Sequence, residues 1–177
     1  MKEESHNRAQ SVVTAPILRP VRQEDEEFLF DLYASTRTEE LSQIPWDEAQ
    51  KRAFLLMQFA AQQQHYRSRF PEGEHQVIVK DGRSVGRIYT ARTDEEIRIL
   101  DIALLPQHRN AGIGTTLLKE VLADAKRSGR AVRIYVETFN PSLRLFERLG
   151  FSSVESSGLH HLMEWRAAGS IPIRGDL

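Results

Sequence analysis

A glycine-bearing turn between a strand-like and a helix-like segment constrains this chain more than any other feature. Residues 97–105 are mainly aliphatic, residues 115–127 repeat apolar side chains at helical spacing, and between them stands Arg109-Asn110-Ala111-Gly112-Ile113-Gly114. The first N–H groups of an α-helix have no partner within the helix, and the helix dipole adds positive charge there. Gly112 and Gly114 allow unusual backbone angles and close approach to the main chain. The turn therefore predicts an anion site, usually for phosphate, although a turn that binds nothing is the alternative.

The spacing within this turn excludes the commoner phosphate loops. A Walker loop requires Gly-Lys-Ser/Thr, whereas Gly114 is followed by Thr115 and Thr116. The dinucleotide fingerprint requires a third glycine at the position that Leu117 occupies. The pattern that remains is Arg/Gln-x-x-Gly-x-Gly/Ala.

Two segments together resemble the signatures of the GCN5-related N-acetyltransferase (GNAT) superfamily. Residues 102–118, which contain the turn, are similar to its acyl-CoA-binding motif. Residues 140–151, from Asn140 to a Leu-Gly-Phe ending, look like its second signature at the family's spacing. The resemblance implies an α/β (mixed α+β) GNAT fold, in which a mixed, mostly antiparallel sheet is splayed at the cofactor site and carries helices on both faces.

The order of elements along the chain is consistent with that fold. Apolar periodicity and turn residues predict helices at 23–36, 46–69, 115–127 and 141–149, and strands at 17–21, 76–80, 84–92, 97–105, 132–137, 151–155 and 159–165. We expect a loop at residues 38–45. The domain division that we predict is a disordered leader at 1–15, a single GNAT domain at 16–166 and a loose tail at 167–177.

Composition excludes several classes of function. The net charge of −1 leaves no basic field for nucleic acid, and the absence of cysteine excludes disulfides, thiolate–zinc sites and a cysteine nucleophile. No apolar run is long enough to span a membrane, and no signal-peptide core is present in the sequence. No His, Asp or Glu cluster has ligand spacing, and His160 and His161 would point to opposite faces of a strand. We therefore expect a cytoplasmic protein without a metal, a nucleic-acid partner or a membrane partner.

The resemblance implies which residues hold acetyl-CoA, the co-substrate. The turn would receive the diphosphate on its backbone amides, and the preceding strand edge would pair with the pantetheine amides. The cofactor-binding residues implied are Ile102, Ala103, Leu104, Arg109, Asn110, Ala111, Gly112, Ile113, Gly114, Thr115, Asn140 and Phe146. Asn140 is equally suited to cap the helix that follows it, and Arg109 could be a solvated surface arginine.

The general acid departs from the family pattern. Relatives commonly protonate the leaving thiolate with a tyrosine at the position that Phe146 occupies here, and phenylalanine has no proton to give. Water or another hydroxyl, that of Tyr135 or Tyr89, must then supply the proton, or catalysis is lost. Because a general acid contributes about 10² to 10⁴ in rate, a slow enzyme remains compatible with this substitution.

The general base is equally open. Many relatives carry a glutamate where Arg98 or Leu100 stands, and neither of these is a base. Strict alternation along the strand places Asp101 on the face opposite Arg98, away from the usual base, unless a bulge re-aims it. Asp101 is the candidate base, and capping a neighbouring loop is its alternative role. Arg98 would favour a carboxylate-bearing acceptor, or else pair with Glu96 at the rim.

The acceptor site is expected along the first two helices and the loop between them. Tyr33, Trp46 and Arg98 are the candidate substrate contacts, although Trp46 could serve packing alone. Glu39 and Glu40 could attract a cationic amine or remain solvated. These opposite charge preferences leave the acceptor, a small-molecule or peptide amine, unidentified.

Together these features predict an N-acetyltransferase that moves an acetyl group from acetyl-CoA to a primary amine by direct transfer in a ternary complex. A CoA-binding or sensing module without catalysis is the second hypothesis, and a protein-interaction domain with an empty phosphate loop is the third. Many relatives pair through sheet edges, so a homodimer is possible.

Overall fold

The elements of the fold follow the predicted order along the chain. The computed structural model describes residues 15–168, so most of the predicted leader and tail lies outside it. The elements are β1 Ile17–Pro20, α1 Glu26–Ser42, α2 Glu48–Arg69, β2 Glu74–Lys80, β3 Arg83–Arg92, β4 Glu96–Leu104, α3 Ile113–Ser128, β5 Ala131–Glu137, α4 Leu143–Arg148, β6 Ser152–Ser156 and β7 His160–Trp165. Short 3₁₀ turns at Gln23–Asp25 and Pro106–His108 precede α1 and follow β4.

The strands form a single mixed sheet within the described residues. It is 7-stranded, in the order β1-β2-β3-β4-β5-β7-β6. The β4–β5 pair is parallel, and the other neighbouring pairs are antiparallel. The connection from β4 to β5 passes through α3, as a parallel crossover requires. The predicted mixed, mostly antiparallel α/β sheet is confirmed.

The two faces of the sheet are covered differently. On the α3/α4 face, an apolar core joins the sheet to α3 and to Phe146 of α4; its α3 members are Ile113, Leu117, Leu118, Val121, Leu122 and Ala125. On the α1/α2 face, the two helices share a smaller apolar cluster, which contains Leu29, Phe30, Tyr33, Leu41, Leu55 and Phe59. The side chains of Gln62 and Tyr66 on α2 make hydrogen bonds to the sheet. Within residues 15–168, no helix is both long and apolar enough to cross a bilayer.

Two of the differences between the predicted and observed helix boundaries have an identifiable physical cause. The loop expected at 38–45 is helical through Ser42, because Leu41 packs into the α1/α2 cluster and Arg37 pairs with Glu40 one turn later. The helix expected from 141 begins at Leu143. The residues before Leu143 form a turn in which the side-chain oxygen of Asn140 accepts a hydrogen bond from the backbone amide of Ser142 at 2.9 Å. Tertiary burial extends the first helix, and local turn chemistry shortens the second.

A buried ion pair joins β1 to the start of α1. Asp25, at the N-cap of α1, is 5% exposed and accepts hydrogen bonds from both terminal nitrogens of Arg19 at 2.7 and 2.6 Å. It also accepts from the backbone amide of Arg22 at 2.8 Å. The hydrogen bonds from Arg19, and then that amide, lower the pKa of Asp25 to about 2. The pair ties the first strand to the helix that follows it.

Asp25→Asn should lower the free energy of unfolding by about 1–3 kcal/mol near neutral pH, because the half-buried Arg19 loses its anionic partner. Since the folded pKa, about 2, lies below the value of about 3.9 in unfolded chains, this stabilisation is present above pH ~4 and is lost as the pH falls toward 2. Urea denaturation across this range measures it. The exposed Glu27→Gln is the control, and an equal loss in both variants would contradict the assignment.

Candidate functional site

β4 and β5 separate part of the way along their length. Their parallel pairing runs from Glu96 and Ala131 to Ile99 and Ile134. Beyond that point β4 continues to Leu104 and β5 to Glu137 without pairing to each other. We call the space between residues 100–104 of β4 and residues 135–137 of β5 the gap. The family resemblance implies that the sheet splays at the cofactor site, and in the gap one edge of β4 has no strand partner.

A β-bulge lies where the strands part. On β3, Tyr89 pairs with Asp101 and the next residue, Thr90, pairs with Ile99, so Leu100 is the extra residue of β4. Strict alternation therefore does not hold along this strand, and a bulge re-aims Asp101, which is the exception that the sequence prediction allows. Ile99 packs in the core of the α3/α4 face, and Ile102 packs against that core as well. The bulge leaves Arg98 and Asp101 together on the opposite, α1/α2 face.

The predicted phosphate turn forms an open cradle of backbone amides. Asn110 has φ 58° and Gly112, the N-cap of α3, has φ 79°, both in the left-handed region. The backbone amides of residues 110–115 donate no hydrogen bond to any other described residue. The next amide, that of Thr116, donates to the carbonyl oxygen of Gly112 at 2.9 Å, so the regular hydrogen bonds of the helix begin at this residue. No acidic side chain stands in the first turn of α3, and the cradle can therefore receive an anion.

The two glycines of the cradle have different roles. An added Cβ at Gly112 would meet nothing within 4 Å, so this glycine is required by its positive φ. An added Cβ at Gly114 would lie 4.0 Å from the Leu104 side chain, which is an ordinary contact. Packing therefore does not require glycine at position 114, and the missing side chain leaves the backbone of the first turn accessible. Ile113 between them is buried and anchors the start of α3 in the core.

Arg109 turns back toward β4 in this structure. Its Nε donates to the carbonyl oxygen of Leu104 at 2.9 Å, and its Nη2 donates to the Ser35 hydroxyl at 3.4 Å. The arginine is exposed, but it links the end of β4 to α1. Its predicted contact with phosphate stays a prediction.

The second signature lies beside the gap. The side-chain oxygen of Asn140 accepts a hydrogen bond from the Ser142 amide in the turn before α4, whereas the N-cap of α4 is Ser142, so the predicted N-cap role of Asn140 is wrong. Phe146 is 1% exposed and meets Phe151 edge-on at 5.3 Å inside the core. Because its ring has little free surface, its contact with a cofactor stays a prediction, as does that of Asn140.

The candidate base, Asp101, is held by a buried arginine that sequence reasoning missed. Arg87 of β3 is 1% exposed, and its Nε and Nη2 both contact Oδ2 of Asp101. Nη2 also donates to the side-chain oxygen of Gln62 at 2.7 Å. The available signal was an arginine between Gly86 and Ile88 in an apolar strand, since such a charge needs a carboxylate partner. Asp101 thus pairs with Arg87 and does not cap a loop.

Two of the predicted substrate residues lie on the α1/α2 face. The Tyr33 hydroxyl donates to Gln58 at 3.2 Å, and the Arg37 guanidinium lies 5.7 Å from the Tyr33 ring. Arg37 also pairs with Glu137 at 3.3 Å, which connects α1 to the end of β5. Arg98 lies 5.5 Å from the Tyr135 ring.

Further contacts bear on the alternative roles predicted for the candidate residues. Arg98 pairs with Glu96 at 2.7 Å, as its alternative role predicts. Trp46 packs edge-on against Phe54 at 5.2 Å, at the start of α2. Tyr135 is 53% exposed beside the gap, whereas Tyr89 is buried and stacked on His75 at 4.5 Å, so Tyr135 is the better placed hydroxyl. Burial raises the pKa of Tyr89.

Metal-binding geometry is not found in the part of the chain that the structure describes. No three His, Cys, Asp or Glu side chains within residues 15–168 lie close enough to share an ion.

Comparisons with known proteins agree on the family. A sequence profile described as the acetyltransferase (GNAT) family matches residues 27–151. An N-alpha-acetyltransferase of Sulfurisphaera tokodaii is 35% identical over 60 residues, which are 32% of this chain and 36% of that protein. The matched region thus spans about a third of that curated relative's length.

Solved structures share the fold at low sequence identity. PaiA N-acetyltransferase from Thermoplasma acidophilum, in complex with coenzyme A, aligns with a TM-score of 0.66 and 19% identity, covering 87% of this chain and 100% of that one. An acetyltransferase from Thermus thermophilus aligns with a TM-score of 0.63 and 16% identity, covering 88% of this chain and 99% of that one. At these identities the likeness shows the fold alone.

Gly112→Val should weaken acetyl-CoA binding at least about tenfold, because a β-branched residue resists the left-handed conformation that orients the amides. Calorimetric titration with acetyl-CoA measures the effect. The matched control is Gly82→Val, in the β2–β3 turn, where φ is 74° and an added Cβ is also unobstructed. Binding weakened equally by both changes would contradict the assignment of the cradle.

Proposed function

Because the chain belongs to the acetyltransferase (GNAT) family, we propose that it is an N-acetyltransferase that moves the acetyl group of acetyl-CoA directly to a primary amine in a ternary complex. The observation that carries this proposal is the alignment of three features: an amide cradle at the start of α3, a gap between β4 and β5, and a carboxylate, Asp101, beside the gap on the α1/α2 face. A thioester held from one face can then meet an amine arriving from the other.

The cradle and the free edge of β4 account for the placement of acetyl-CoA. The diphosphate would rest on the amides of residues 110–115, where helix-dipole charge and unpaired donors coincide. The pantetheine arm would add to the unpaired edge of β4, as a peptide adds to a sheet. Arg109 donates to the Leu104 carbonyl oxygen and Tyr66 to the Leu100 carbonyl oxygen in this structure, so residues 101–103 are the part of the edge left for pantetheine amides. The coenzyme A complex of PaiA supports this use of the fold.

The reaction needs a base for the amine and a proton for the thiolate. The amine nitrogen attacks the thioester carbon, its proton passes to Asp101, the C–N bond forms and the C–S bond breaks. Asp101 can accept the proton through Oδ1, since Arg87 contacts Oδ2. The departing thiolate takes its proton from water or from the exposed hydroxyl of Tyr135, because Phe146 has none to give.

The acceptor would enter on the α1/α2 face. The Arg37, Arg98 and Tyr135 side chains lie on this side. Tyr33 is 6% exposed and lies against Arg37, and its contact with the acceptor stays a prediction. The name of the Sulfurisphaera tokodaii relative gives it an α-amine as acceptor, so polypeptide N-termini belong with small amines among the acceptors proposed here. Trp46 is a more distant candidate, since its ring packs on Phe54. The compartment, which the sequence predicts to be the cytoplasm, and the homodimer stay predictions.

The alternative function is a CoA-binding module without catalysis. The observation that favours it is Phe146, which is buried at the position where relatives commonly carry the tyrosine acid. A thermal shift with acetyl-CoA tests binding, because a ligand bound only by the folded protein raises its stability. Thiol release with a panel of amines and peptides then tests transfer. Binding without release would favour this alternative, whereas release that depends on an amine would support the transferase.

Asp101→Asn should lower kcat for acetyl transfer by about 10²-fold or more, because the amide cannot accept the amine proton. The KM for acetyl-CoA should stay unchanged. The matched control is Asp94→Asn, an exposed carboxylate in the turn between β3 and β4. A full rate in the Asp101 variant would remove this residue from the proposed reaction.

Phe146→Tyr should raise the rate of thiol release by about tenfold, since it restores a hydroxyl at the family's acid position. The same change should cost stability, because the new hydroxyl enters an apolar core beside Phe151. Steady-state kinetics and thermal denaturation of the variant measure both effects. A stability loss without a rate gain would show that the hydroxyl does not reach the sulfur.

A further inference from the structure

We propose that Arg87 of β3 and Gln62 and Tyr66 of α2 are positioning residues, which hold the bulged segment of β4 so that Asp101 presents one free carboxylate oxygen to the acceptor amine. This inference rests on the proposed function, in which Asp101 is the base. It adds three residues that do not touch the substrate but on which the rate depends, because they act through Asp101. None of the three lies in either signature segment of the sequence.

The contact between Arg87 and Asp101 is asymmetric. Arginine and a carboxylate usually meet through two parallel hydrogen bonds, which occupy both oxygens. Here Nε and Nη2 of Arg87 both contact Oδ2. Within the described residues Oδ1 accepts no hydrogen bond, and the Asp101 side chain is 22% exposed. One oxygen is therefore restrained by a buried charge while the other is left for a substrate.

Gln62 determines how the guanidinium of Arg87 is turned. Its side-chain oxygen accepts a hydrogen bond from Nη2 at 2.7 Å, so Nη2 is shared between Gln62 and Asp101. Phe59, less than one turn earlier on α2, places its ring 6.0 Å from the guanidinium. Arg87 is thus held from the helix side by one hydrogen bond and one aromatic ring. Without the Gln62 bond, the guanidinium could rotate and take both oxygens of Asp101.

Tyr66 supports the bulge itself. Its hydroxyl donates to the carbonyl oxygen of Leu100, the extra residue of the bulge, at 3.0 Å. Burial raises the pKa of Tyr66 to about 12, so the hydroxyl keeps its proton and remains a donor at ordinary pH. An edge-on contact with Tyr89, at 5.4 Å between ring centroids, restrains the Tyr66 ring. The bulge places Asp101 on this face, so a bond to Leu100 acts on the orientation of Asp101.

The spacing on α2 provides a matched control. Gln62 and Tyr66 are four residues apart and therefore lie on the same side of the helix. The adjacent Gln63 has the same side chain and is also half-buried, but its Nε2 makes no hydrogen bond within the described part of the chain. Gln63→Met therefore reproduces the chemical change of Gln62→Met without touching Arg87.

Steady-state kinetics test the proposal. Gln62→Met and Tyr66→Phe should each lower kcat by about 3- to 10-fold, the effect of losing one hydrogen bond, with an unchanged KM for acetyl-CoA. Gln63→Met should keep the wild-type kcat. In an Asp101→Asn background, Gln62→Met should have no further effect on kcat, because residues that act through one group are not additive. Additive losses would indicate a structural role only and would overturn the proposal.

The outcomes separate this inference from the function on which it rests. If the wild type transfers acetyl groups and Asp101→Asn abolishes transfer, but Gln62→Met behaves like Gln63→Met, the inference fails and the transferase stands. If the wild type transfers no acetyl group to any acceptor, the proposed function fails and the inference with it. A crystal structure of Gln62→Met adds a readout independent of activity: an Asp101 carboxylate that meets Arg87 through both oxygens supports the inference, and an unchanged contact overturns it.

Discussion

The separation of β4 from β5 after Ile99 and Ile134 is the constraint on which the rest of the site depends. Up to that point the strands share hydrogen bonds, and beyond it β4 keeps its pairing to β3 while its other edge is free. Because unpaired main-chain groups need partners, a free edge in the middle of a sheet is unusual and predisposes it to accept an extended ligand. The amide cradle of α3 follows the free edge directly, so one continuous stretch of chain carries both parts.

The bulge at Leu100 lets β4 place apolar side chains on one face and charged side chains on the other. On the α3/α4 face the apolar core takes Ile99 and continues to Ile102, which strict alternation would have placed on the other face. On the α1/α2 face the extra residue brings Arg98 and Asp101 to the same side. Burying a charged group is costly unless it is paired, and the Arg87–Asp101 contact, next to Gln62 of α2, meets that requirement.

Local chemistry predicted much of the fold. The order of strands and helices and the turn at Gly112 both follow from residue periodicity and backbone preference, and the structure confirms them. The end of α1 at Ser42 was predicted too early, because the burial of Leu41 against α2 is not visible in the local pattern. The start of α4 was also predicted too early, but here the cause is local: a hydrogen bond to the Asn140 side chain stabilises a turn ahead of the helix.

The sequence by itself determined the cradle of backbone amides, because left-handed backbone angles and unpaired amides at a helix start depend on residues next to one another in the chain. The tertiary structure alone decided which way Asp101 points and what holds it. A bulge arises from the competition between core packing on one face of β4 and helix contacts on the other, and no single strand records that competition. Arg87, Gln62 and Tyr66 reach the bulged segment from elements distant in sequence, so their roles appear only when the chain is folded.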